Sequence, residues 1–164
     1  MYSFLRKPMI SLLLALGVAT LGSAGTAFAD ATIRAELWEK PSETMPTGLG
    51  LGMHGDMSKA TMGIKVDHAS VPAGKVTFVA INTSKTDIHE MLVSPIASRD
   101  SVLPFIADED RVDEDAAGHL GEVSELDPGQ EGALTITLKP GLYVVYCNIP
   151  GHYMAGMWTI VEVK

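Results

Sequence analysis

A thiol, an imidazole and a thioether recur at five-residue intervals in one short segment, Cys147-Asn148-Ile149-Pro150-Gly151-His152-Tyr153-Met154-Ala155-Gly156-Met157. Pro150-Gly151 and Ala155-Gly156 supply the turning needed to make the three converge. Thiolate with imidazole suits zinc or copper, but a thioether is a soft, weak donor that zinc sites seldom take. Two imidazoles and one thiolate in a plane, with a distant axial Met, describe a type 1 copper site, which serves both Cu(I) and Cu(II) with little rearrangement. The segment therefore predicts one copper ion and one-electron traffic, with Cys147, His152 and Met157 as ligands. A set filled entirely by protein leaves no open position for substrate, so the expected protein is not an enzyme.

The second imidazole must come from elsewhere. His89 is the choice, because it stands where a loop enters an apolar run, on scaffold stiff enough to hold a ligand. His68 and His119 are its rivals. Met154 competes with Met157 as axial donor, but only two residues separate it from His152, and it is expected to pack over the site instead.

The elements that must position these residues read as strands. From Asp30 onward the apolar residues come in short runs bounded by Pro and Gly, without a sustained helical period. Strands are predicted at Thr32 to Trp38, Met62 to Asp67, Lys75 to Asn82, Glu90 to Val93, Ala133 to Leu138, Leu142 to Cys147 and Trp158 to Val163. Leu134-Thr135-Ile136-Thr137-Leu138 alternates and should place three apolar side chains on one face. Seven or eight such strands predict an all-β sandwich. Two stretches break the rhythm. Residues 40–60, rich in Gly, Pro and Met, predict a mobile loop, and residues 97–124, with the acidic run Asp108 to Asp115, predict an insertion with a short helix.

The first 29 residues carry Arg6 and Lys7, an apolar run from Met9 to about Leu21, and Ala27-Phe28-Ala29, the pattern of a cleaved secretory signal peptide. Residues 30–164 are then one exported domain, periplasmic, with no membrane span and expected to be a monomer. Loss of Arg6 and Lys7, with no acid in the same stretch, takes the formal charge from −8 to −10. That charge excludes a nucleic-acid partner, which requires a basic face. Exported chains usually spend cysteines in pairs, yet Cys147 is alone; a metal-bound thiolate accounts for it, the alternative being an inert buried thiol.

The segment "CNIPGHYMAGM", preceded by "LKPGLYVVY", resembles the ligand loop of the cupredoxins, the group of azurins, plastocyanins, auracyanins and rusticyanins. Its Cys-to-His spacing is similar to that of auracyanins and rusticyanin, whereas plastocyanin has a shorter interval. The resemblance is strongest over 133–164, weaker over 62–93, and absent from 40–60 and 97–124. It implies a Greek-key sandwich with copper at one end, and His89 matching the upstream histidine ligand. Many cupredoxins carry Asn after that histidine, tying the ligand loops together. Here the position is Glu90, while Asn148 follows Cys147, so the expectation is a swapped tie with the Asn148 amide donating to the Glu90 carboxylate.

Two functions follow. One is a soluble electron carrier serving a redox partner protein. The other is a copper-tolerance or copper-delivery protein working with copper-handling partners. The second draws on Met45, Met53, His54, Met57 and Met62, donors soft enough to take additional Cu(I); otherwise they pack as flexible apolar cover. Multicopper oxidases share the fold but need more domains than this length permits.

Overall fold

The computed structural model describes residues 30–164; the expected signal peptide, 1–29, lies outside the described residues. Two sheets face each other. The first runs β2 (Met62–Val66), β1 (Ala31–Glu39), β4 (Gly74–Asn82), β9 (Glu131–Leu138). The second runs β3 (Ser70–Val71), β11 (Trp158–Val163), β10 (Gly141–Tyr146), β5 (His89–Ile96), β8 (Glu122–Leu126). Pairing is antiparallel except for β1 with β4 and β11 with β3. Spatial neighbours are mostly not sequence neighbours, and the chain passes between the sheets from β4 to β5 and from β8 to β9, as in a Greek-key sandwich. All seven predicted strands are present, and β3 and β8 join them at sheet edges.

Alternation makes the first sheet. In β4 the buried positions are Val76, Phe78 and Ala80, and in β1 Ile33, Ala35 and Leu37, all on the inner face. They meet Val93, Val145 and Val161 of the second sheet in the main core, which also holds Cys147 and Met157. β10 does not alternate. Its run Tyr143 to Tyr146 is buried throughout because the sheet is covered on both sides. On the outer face Leu92, Val144 and Tyr146 pack with Leu51, Leu103, Val112 and Tyr153.

That outer cover is built from the two excursions. Within residues 40–60, read from composition as a mobile loop, Leu49 and Leu51 are buried, and the Leu49 N–H donates to Met154 O at 2.8 Å. The apolar surface of Leu51, invisible to a reading of Gly and Pro content, fixes the segment. Residues 97–121 form a small hairpin, β6 (Phe105–Ile106) with β7 (Arg111–Val112), and the helix α1 (Glu114–Ala117). Asp113 caps α1 by accepting from the Ala116 N–H at 3.0 Å. The acidic run is thus partly spent on caps and turns.

Candidate metal centre

The ends of three strands define the site. β10 stops at Tyr146 and β11 starts at Trp158, the two paired directly, so the residues just beyond them, Cys147 and Met157, stand side by side. Their backbones are joined by the Cys147 N–H donating to Met157 O at 3.1 Å. Between them the chain makes a tight turn: Ala155 N–H reaches Gly151 O at 2.9 Å, and Met157 N–H reaches His152 O at 3.0 Å. Gly151 (φ 85°) and Gly156 (φ 98°) hold left-handed conformations that a side chain would strain. His89 is the first residue of β5, beside β10, and a β-bulge separates it from Met91. The Glu90 N–H points toward the site, where it donates to Cys147 Sγ at 3.5 Å.

The donor atoms of His89, Cys147 and His152 all lie within 4.8 Å of one another. The two Nδ1 atoms are 3.2 Å apart, and Cys147 Sγ is 3.4 Å from His152 Nδ1. His89 and Cys147 are fully buried; His152 is 7% exposed. Burial, with His152 close by, lowers His89 to about 4 against the weaker pull of Glu39, and burial likewise lowers His152. Both rings are therefore neutral at physiological pH, as metal ligands must be. Burial pushes the Cys147 thiol up to about 12, although the Glu90 and Ile149 N–H groups work to lower it. Two facing imidazole nitrogens and a buried sulfur are well matched to a soft or borderline metal ion that satisfies all three together.

The structure also sorts the other candidates. Met157 is fully buried in the inter-sheet core with Cys147, whereas Met154 packs with the outer cluster. His68 lies on the surface, 3.1 Å from Asp67. His119 sits with Glu114 and Glu122 in a separate, partly exposed group. The soft donors of the first loop have different neighbours. Met45 covers Gly151, where a Cβ would meet its Cε at 2.7 Å, and Met57 covers Gly156. Met53 lies beside Gly50, Met62 is in the core, and His54 borders a shallow pocket with Met57 and Trp158.

The swapped tie is not formed. Asn148 turns away from the Glu90 carboxylate: its Oδ1 accepts from Val112 N–H at 2.7 Å, and its Nδ2 donates to Val112 O at 3.0 Å and Glu114 Oε1 at 2.9 Å. The buried backbone edge of β7 at Val112 offers a donor and an acceptor together, which a primary amide satisfies completely and a carboxylate does not. The Asn148 backbone N–H, not its side chain, serves Glu90. The clamp on the ligand loop therefore comes from the insertion, reinforced by Gly151 N–H donating to Asp110 O at 2.8 Å. Sequence reasoning missed this role for the insertion, and missed Glu39, whose Oε2 stands 4.0 Å from His89 Nε2. A cleft of about 820 Å³ opens beside Glu39 and ends on His152.

Residues 51–164 match the family of copper binding proteins described as plastocyanin/azurin. No curated protein matches the chain at a significant level. Among solved structures, rusticyanin from Thiobacillus ferrooxidans is similar at 19% identity and a TM-score of 0.53, covering 81% of this chain and 76% of that one. Auracyanin B is similar at 18% identity and a TM-score of 0.50, covering 85% and 92%. At such identities the likeness is one of fold, and the family match carries the grouping. It takes in the upstream histidine and the whole ligand loop: this chain belongs to the plastocyanin/azurin family of copper-binding proteins, the cupredoxins.

Proposed function

We propose that the mature protein, residues 30–164 as one domain, is a one-electron carrier working outside the cytoplasm, in the periplasm, after removal of the signal peptide read in residues 1–29. The observation that carries the reading is the buried convergence of His89 Nδ1, His152 Nδ1 and Cys147 Sγ at the end of a rigid sandwich. Copper bound there would supply reversible exchange between Cu(I) and Cu(II). Cys147 would provide the thiolate, His89 and His152 the two imidazoles, and Met157 a weak thioether. The Glu90 N–H steadies the charge on sulfur. The two sheets hold the ligands in place when the charge changes, which keeps reorganisation small. His152, alone of the three slightly exposed, is the port to a redox partner.

The buried convergence of His89, Cys147 and His152 favours the carrier over a copper-storing loop. Copper titration of the purified protein, read by optical spectrum, bound metal and redox potential, tests the proposal. One equivalent with an intense thiolate-to-copper band and a reversible one-electron wave is expected. Further Cu(I) equivalents, lost when Met53, His54 and Met57 are replaced by Ala, would instead assign the protein to copper handling.

A further inference from the structure

His89 Nε2 is fully buried and has no hydrogen-bond partner. Such an orphan is rare, because an unpaired buried N–H costs much of its lost hydration. Nδ1 of the same ring faces His152 and Cys147, so Nε2 is the atom that carries the proton when Nδ1 is a ligand. The nearest acceptor is Glu39 Oε2, at 4.0 Å, about 1 Å beyond a hydrogen bond.

Glu39 is the last residue of β1, and its side chain is only 11% exposed. Its other oxygen, Oε1, accepts from Ser84 Oγ at 2.6 Å and Thr86 Oγ1 at 2.7 Å. Ser84 Oγ is itself fixed by the N–H groups of Thr86 and Asp87, and Asn82 holds the same turn through Asp87 O. The carboxylate is thus clamped through Oε1, while Oε2 faces His89, with the Asp87 carboxyl close by. Among the described residues no Lys or Arg lies within 4.0 Å of it, so beside the Ser84 and Thr86 hydroxyls and the neighbouring Asp87 carboxyl, His89 is the basic group that faces this largely buried negative charge.

We propose that Glu39 is a positioning residue for the metal centre: its Oε2 accepts the Nε2–H of His89, fixes that ring with Nδ1 on the metal side, and places a negative charge that favours oxidised over reduced copper. The inference rests on the reading of His89 as a ligand. Closure of the 4.0 Å gap needs only a small ring movement, and a metal ion drawing on Nδ1 makes Nε2–H a stronger donor. Carboxylates behind ligating histidines act in this way, and their loss typically weakens metal binding about 10–100-fold.

The test compares the copper-loaded wild type with Glu39→Gln and Glu39→Leu. Glu39→Gln keeps shape and an acceptor but removes the charge. Cu(II) affinity is expected to fall about tenfold while Cu(I) affinity holds, raising the potential by about 59 mV for each tenfold of difference. Glu39→Leu should raise it further; should that variant fail to fold, Glu39→Gln decides. In the Cu(I) wild type the His89 Nε2–H should give a slowly exchanging NMR signal that shifts in Glu39→Gln. Unchanged potentials, or equal weakening of both oxidation states, would mean that Glu39 only braces the turn at 83–87 and would overturn the inference while leaving the copper site standing. A wild type without a thiolate–copper band would overturn both.

Discussion

Cys147 enters metal binding as a thiol, because burial holds its proton on up to about 12. His89 is already neutral above about 4. Copper uptake near neutrality must therefore expel one proton, and that proton comes from sulfur. The apparent Cu(II) affinity is expected to rise about tenfold per pH unit between pH 6 and 8, checked by competition titration, with one proton released per copper in a weakly buffered assay. Cys147→Ser should abolish both the intense band and this slope; a variant that retains the band would remove Cys147 from the site. The ligand types were legible because chemistry limits them: few metals want thiolate, imidazole and thioether together. Glu39 was not legible, because it lies 50 residues before His89 and only the parallel pairing of β1 with β4 brings the end of β1 beside the site.

The strands that carry the ligands show where pattern reading works and where it fails. β4 and β9 alternate and could be read directly. β10 could be read as buried, but not what buries it. Much of the cover is the insertion at 97–121, whose polar, acidic sequence hides two anchors, Leu103 and Val112, which join Leu51 of the first excursion. β8 escaped because its run Glu122-Val123-Ser124-Glu125-Leu126 has two apolar residues in five, enough for an edge strand and too few for a signal. The same insertion clamps the ligand loop through Asn148, which is 1% exposed and satisfies both polar groups of Val112. Asn148→Ala should cost about 2–4 kcal/mol, since it strands buried backbone groups. Chemical denaturation measures that cost, and faster copper release to a chelator should accompany it if the clamp holds the loop.

At the level of the whole molecule, stability of the metal-free protein should carry the signature of a carboxyl group in the wrong place. Burial, then the neighbouring Glu122 and Glu114, raise Glu90 to about 7 against a backbone hydrogen bond from Asn148. The folded state therefore holds a proton that the unfolded chain releases near 4.5. Stability from this group is full below 4.5 and is lost as pH rises through 7. Glu90→Gln should exceed the wild type by about 1–3 kcal/mol at pH 8 and match it at pH 4.5, as read from urea midpoints. His89, lowered in the fold, weakens both proteins equally as pH falls from 6.5 toward 4, so the comparison isolates Glu90. Just past the end of the β5–β10 ladder, the Glu90 N–H finds a sulfur. The exchange of that single amide hydrogen with solvent should therefore be a clock for metal occupancy: it should slow when copper draws the sulfur into its anionic form and quicken when copper leaves.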